Sequence, residues 1–181
     1  NSWLKVFDQR VFFLPYFNHP DPSVNRKSGF LTPVYSSSDS LGKSVNIPYF
    51  LAISESKDMT LNPRLYSDND FILQSEYRES FKNSELVADF SYNRDEKNTN
   101  AHTFIDLSGK INDTTFYDLE LQNVTNDNYL KIHDFKRIQD TNILMQNINP
   151  SLLTSFFKLD KEIDENTQLK TSVRMYESLS E

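Results

Sequence analysis

Few side chains in this sequence are spaced for chemistry, and each candidate has a plain structural explanation beside it. His19 and Asp21 share the turn "NHPDP", an imidazole and a carboxylate two residues apart. A metal ion needs three or four converging ligands, so the pair reads as a rigid proline turn before it reads as a metal site. His102 and His133 stand alone in their stretches and read as exposed. Glu76, Asp89 and Glu120 fall on the polar sides of alternating segments, where hydration explains them without acid–base catalysis. No Ser–His–Asp motif and no glycine-rich phosphate loop stands out, so neither an enzyme nor a bound cofactor is expected. The triplets "NDT" and "NVT" at 112–114 and 123–125 have the sequon form. With no cysteine, these 181 residues hold no disulfide and no thiolate metal site.

The residues with the most regular spacing are prolines. Pro33, Pro48 and Pro63 lie fifteen apart in "GFLTP", "NIPYF" and "TLNPR", each inside a run that otherwise reads as strand. Proline lacks the N–H that a sheet ladder needs. Prolines at strand ends and bulges are common, so a structural reading stays open for all three. In a sheet bounded by lipid the missing bond has no water to replace it and costs several kcal/mol. There, proline is tolerable only where pairing is meant to be weak.

The elements that carry these residues follow from alternation. Odd positions 45–53 are Val45, Ile47, Tyr49, Leu51 and Ile53. Met59, Leu61 and Leu65 repeat the pattern, and Phe71, Leu73, Tyr77 and Phe81 share one side of the next run. Leu86, Ala88, Phe90 and Tyr92 oppose Glu85, Asp89 and Ser91. The same period runs through 101–111, 115–123 and 168–175. Asn/Asp-rich clusters separate the runs and supply turns. The expectation is all-β, with roughly nine strands in an antiparallel meander; 152–160 is strand despite poor alternation, and 140–148 has room for a helical turn. Aromatics near run ends, Tyr49, Phe50, Phe71, Phe81 and Tyr92, suit either a core or an interfacial girdle. A soluble sheet with one wet face and a membrane barrel wall both fit this alternation.

Bulk properties narrow the class. A net charge of −7 argues against a nucleic-acid partner. Mean hydropathy is −0.61, and no run nears the ~20 apolar residues of a spanning helix. A start at Asn1 without methionine or signal peptide, and an end within "RMYESLSE", read as cuts in a longer polypeptide.

The stretch "FLPYFNHPDPSVNRKSGFLTP" resembles the junction between periplasmic β-jelly-roll and membrane barrel in the lipopolysaccharide-assembly family LptD, the organic-solvent-tolerance or OstA proteins. "NIPYFLAISESKDMTLNPRLYS", "FILQSEYRESFKNSELVADFSY" and "NVTNDNYLKIHDF" resemble the family's next strands, hairpin and loop in the same order. "AISESKD" departs from the family pattern at Ser54, where a proline is usual. The resemblance implies a tail of jelly roll at 1–18, a hinge at 19–28, and the opening strands of a large outer-membrane β-barrel at 29–181. It implies lipopolysaccharide (LPS) transport with sideways release through a lateral gate at the first strands, a role that falls on Pro33 and Pro48, with Pro63 a third family proline. Val11, Phe12, Phe13, Leu14, Tyr16 and Phe17 would line the acyl path, or else form ordinary core. Arg26 and Lys27 would meet phosphates at the hinge, or else form a solvated turn. The implied partners are LPS, a lumen-plugging LptE-like lipoprotein and an LptA-like periplasmic bridge protein. The implied location is the bacterial outer membrane, with the N-terminal segment on the periplasmic side. A porin-like channel and a soluble β-sandwich binding module are the rival readings.

Overall fold

A computed structural model describes residues 2–6, 9–14, 26–38, 41–67, 70–94, 99–133, 135 and 151–179. Two strands, β1 (Ser2–Val6) and β2 (Gln9–Leu14), pair antiparallel as a small sheet of their own. The other strands form one antiparallel sheet. They are β3 (Gly29–Phe30), β4 (Val34–Ser38), β5 (Gly42–Asn46), β6 (Tyr49–Ser54), β7 (Lys57–Tyr66), β8 (Phe71–Ser80) and β9 (Ser84–Arg94). They continue as β10 (Thr99–Asn112), β11 (Thr115–Val124), β12 (Leu152–Asp164) and β13 (Thr167–Ser178). A five-residue helix, α1 (Tyr129–His133), interrupts the meander between β11 and β12.

The sheet runs in sequence order, so its eleven segments occupy nine columns. β5 and β6 both pair with β7 and share one column, and β3 and β4 pair with them as the edge column. β13 is the opposite edge. The all-β antiparallel expectation therefore holds. Turns at 55–56, 81–83, 113–114 and 165–166 fall on one rim. The connections 67–70, 95–98 and the long 125–151 fall on the other. The chain enters the sheet from the short-turn rim: Gly29 pairs with Phe50, and Ser28 Oγ accepts the Ala52 N–H at 2.9 Å. Gly42, the first residue of β5, has φ +70°, the left-handed region that glycine enters without a Cβ clash.

Alternation gives the sheet two unlike faces. One carries Asp58, Thr60, Gln74, Glu76, Asp89 and His102, all buried. The other carries Leu65, Phe71, Phe90, Tyr92, Val173 and Met175, all exposed. This inverts a water-soluble sheet. Burying one such apolar side chain is worth about 1.5–3 kcal/mol, so the outer face is stable only against an apolar surrounding. Phe71 and Tyr92 lie on that outer face; Phe50, grouped with them from the sequence, instead pairs with Thr60 on the polar inner face.

The inner face is closed near the long-loop rim. Tyr129, Leu130 and Phe135 pack with Tyr66, Ile72, Phe104, Leu153 and Leu179 into one buried cluster. His102 and His133, read from the sequence as exposed, are both buried in this region. The chain around α1 covers them, and periodicity gave no warning of that helix. Residues 140–148 lie outside the described residues.

Candidate functional site

Three arrangements lie along the inner face and its first columns. Nearest the long-loop rim, α1 is pinned to the wall. Asn126 Oδ1 accepts the Asn128 N–H at 2.9 Å, and the Tyr129 N–H donates to the Asn126 carbonyl at 3.1 Å, which starts the helix. Asn is suited to that turn because its side chain bonds its own backbone two residues on. Tyr129, Leu130 and His133 then fall on the buried side. His102 Nε2 meets Asp89 Oδ1 at 3.1 Å, its Nδ1 meets Ser91 Oγ at 2.6 Å, and Ser91 Oγ lies 3.0 Å from the Tyr129 hydroxyl. Gln74 Nε2 donates to both Asp89 oxygens. Arg64 adds a bond to the His133 carbonyl at 2.7 Å and sets its guanidinium 5.8 Å from the Phe135 ring centre.

Ser91, His102 and Asp89 thus stand in hydrolase-like order, which no sequence motif announced because they come from β9 and β10 through register alone: Ser91 pairs with His102. Their residual exposures are 4 %, 1 % and 0 %. Ser91 is covered by Tyr129, so no carbonyl can reach its oxygen while α1 is seated. The trio fixes α1. Burial pushes the Tyr129 phenol up to about 12, against the opposing hydrogen bond from Ser91. Burial holds His133 below the ordinary imidazole range; Asp70 pulls it up and Arg64 pushes it further down.

At mid-height the prolines form a row. In register, Val45 pairs with Leu65, Asn46 with Arg64 and Tyr49 with Leu61, so residues 47 and 48 face 63 and 62. On the other side Val34 pairs with Asn46 and Phe30 with Tyr49, leaving three residues, 31–33, against two, 47 and 48. That one-residue excess is a β-bulge, and Pro33 closes it. The bulge switches parity, so Phe30 faces outward against Tyr49 with ring centres 5.0 Å apart.

Two ladder bonds are missing in this row. Leu31 N–H donates to the Pro48 carbonyl at 2.8 Å, and Ile47 N–H donates to the Pro63 carbonyl at 3.2 Å. Antiparallel partners ordinarily exchange two such bonds, and neither proline can return one. Pro48 thins the seam between the first and second columns, and Pro63 thins the seam between the second and third.

Nearest the short-turn rim is an ion cluster. Asp58, its side chain 4 % exposed, receives Arg26 Nη1 on Oδ2 and Arg78 Nε on Oδ1, both at 2.8 Å. Glu76 Oε1 stands 4.0 Å from Arg78 Nε. Lys27 is exposed beside Arg26. Phe12, Phe13 and Leu14 are in β2, paired with Leu4, Trp3 and Ser2. Val11 is also in β2. Tyr16, Phe17, His19 and Asp21 lie outside the described residues. Among those described, no group of three or more His, Asp or Glu side chains is placed to hold a metal.

Fold and site together define an all-β antiparallel wall of reversed polarity, with polar side chains enclosed and apolar ones displayed. The chain is 33 % identical over 147 residues to the LPS-assembly protein LptD of Idiomarina loihiensis, covering 77 % of the chain and 19 % of that protein. It is 32 % identical over 141 residues to LptD of Pseudoalteromonas translucida, covering 72 % and 18 %. With LptD of Pseudomonas aeruginosa it shares 31 % over 140 residues, covering 77 % and 15 %. No family model matches. Over the matched stretch the chain belongs to the LptD family, and it spans less than a fifth of the length of these relatives.

Proposed function

We propose that this chain forms the opening wall of an outer-membrane β-barrel that delivers LPS to the outer membrane, a transport role and not a catalytic one. The observation that carries this reading is the reversed polarity of the sheet, with exposed Phe90 and Val173 on one face and buried Asp89 and His102 on the other. Lipid on the outside and an aqueous lumen inside satisfy both faces at once. Short turns on one rim and longer connections on the other fit the periplasmic and extracellular ends of such a wall. On that orientation the chain enters from the periplasm, with residues 1–18 as the end of a periplasmic domain and 19–28 as its hinge.

LPS leaves sideways at the edge of the first column, where the family's first barrel strand meets its last; Pro33 and Pro48 loosen that first column, with Pro63 thinning the next seam. Phe12, Phe13, Leu14, Tyr16 and Phe17 line the acyl path, and Arg26 and Lys27 meet the phosphorylated head. An LptE-like lipoprotein in the lumen and an LptA-like bridge at the upstream domain complete the route. The test places photo-reactive residues at inner-face positions of the full-length protein in cells. LPS adducts at Asn46 and Phe50, beside the seam, with none at Asp118 on β11, are expected. Adducts spread equally over all three positions, or absent from the seam, overturn the reading.

A further inference from the structure

We propose that Arg26 is a positioning residue that roots the base of the first column on the third, so that the first column flexes along its free edge without its base leaving the wall. The inference rests on the transport reading above and adds what holds the exit strand in place.

The base needs such a root. Below the bulge only Gly29 and Phe30 pair with β6, and Pro48 offers the first column a carbonyl but no N–H. Two contacts supplement that short pairing. Ser28 Oγ accepts the Ala52 N–H at 2.9 Å, which ties the entering chain to the second column. Arg26 Nη1 donates to Asp58 Oδ2 at 2.8 Å, which ties it to the third. Ala52 lies between them, paired with Asp58, and its single methyl leaves the guanidinium a path across. The first column is therefore anchored over two columns at its base, whereas its outer edge pairs with no other described strand.

An ion pair with one exposed partner ordinarily contributes little, and Arg26 is 56 % exposed. Here the cost of separation falls on the other end. The Asp58 side chain is 4 % exposed, and its two oxygens are divided: Oδ1 takes Arg78 Nε at 2.8 Å and Oδ2 takes Arg26. Lifting the base strips Oδ2 of that donor inside a buried site, and a buried acceptor left bare bears the full desolvation penalty. Charge adds to this. Arg26 and Arg78 balance Asp58 and Glu76, whose Oε1 stands 4.0 Å from Arg78 Nε, so losing Arg26 leaves the cluster one cation short. Guanidinium carries several N–H donors. One on Asp58 leaves others for a phosphate on the exposed side, so rooting does not compete with the contact to the head group.

The experiment is hydrogen exchange on the purified full-length protein, read as protection factors. The Ala52 and Leu31 amides report the base, and the β4 amides report the column above the bulge. Arg26→Gln should lower protection at Ala52 and Leu31 about tenfold and leave β4 as it was. Arg26→Lys should keep part of the protection. Lys27→Gln, which removes the neighbouring cation but not the root, should leave it whole. Asp58→Asn should match Arg26→Gln, and the double variant should lose no more than either alone, because both remove the same contact. In cells, entry of a large antibiotic should rise for Arg26→Gln at unchanged protein level and fall back for Arg26→Lys. Arg26→Gln leaves Asp58 paired with Arg78 and keeps the test valid if Asp58→Asn does not fold. Full protection of Ala52 in Arg26→Gln, loss spread equally into β4, additive losses in the double variant, or antibiotic entry unmoved by Arg26→Gln overturns the root. If LPS adducts form at Asn46 and Phe50 while Arg26→Gln leaves the base protected, the root fails and the transport reading stands.

Discussion

Restoring a single N–H at position 48 tests whether the proline row sets the strength of the first seam. The Pro48 carbonyl already accepts the Leu31 N–H at 2.8 Å, so the same edge of residue 48 faces the first column. Pro48→Ala presents a donor there. One ladder bond is worth about 0.5–1.5 kcal/mol net where water competes, and several kcal/mol where lipid replaces water. Since about 1.4 kcal/mol is tenfold in an equilibrium, the open population of the seam should fall about tenfold or more. Pro63→Ala is the matched control. Its new N–H faces Ile47 in the second column, so it strengthens the neighbouring seam and leaves the first as it was. In cells depending on the substituted full-length protein, entry of a large antibiotic reports LPS delivery, and hydrogen exchange reports whether the new amide is bonded. Pro48→Ala should impair delivery far more than Pro63→Ala. A protected residue-48 amide combined with undiminished delivery would refute the idea that proline weakens the exit.

The pinned helix gives two further expectations. Tyr129→Phe removes the hydroxyl 3.0 Å from Ser91 but leaves Ser91 its bond to His102, so α1 should lose only about 1 kcal/mol. Tyr129→Ala empties a fully buried ring site and should cost about 3–5 kcal/mol, seen as proteolysis within 125–151 of the folded protein while the strands stay protected. Docking of α1 should also weaken in acid. His133 is held below its unfolded value by burial, so its contribution is complete above the unfolded pKa near 6.5 and is lost as pH falls toward the lower folded value. Lower protection factors of the amides 129–133 at pH 5 than at pH 7.5, each taken relative to intrinsic exchange at that pH and the difference abolished by His133→Asn, are the expected result; equal protection would exclude His133 as the cause.

Much of the wall is legible because two-residue alternation is a local signal. Val45 to Ile53 and Leu86 to Tyr92 declare both strand and facing without reference to any other residue. The proline spacing is equally legible, but its consequence needs register: only pairing shows that residues 47 and 48 face 62 and 63. What stays hidden depends on contacts across columns. His102 looks like one imidazole on a polar side until Ser91 and Asp89 arrive from β9 and Tyr129 from the long connection. The sequence does carry one overlooked hint, since "NDN" before Tyr129 is helix-start chemistry. Arg26 and Asp58, separated by 32 positions, give no hint of each other at all.

These features act together because of where they lie on the same wall. From β7 to β11 neighbouring columns are paired over nine or more positions, and opening anywhere along those ladders breaks many bonds at once. In the first column, β3 offers only Gly29 and Phe30 to β6 before the bulge begins. The bulge and Pro48 divide this column into a two-residue pairing below and a five-residue pairing above. A rupture that starts at the proline row therefore need break only the short lower pairing to reach the short-turn rim, where the Ser28–Ala52 bond and the Arg26–Asp58 ion pair also cross its path. Mechanical weakness and the Arg26–Asp58 contact are thus adjacent, while α1 is fastened to β9 and β10 through Ser91 and His102 and to β7 through the Arg64 bond to the His133 carbonyl. On the transport reading proposed above, such a wall parts at its first edge while α1 stays seated on β7 and β9.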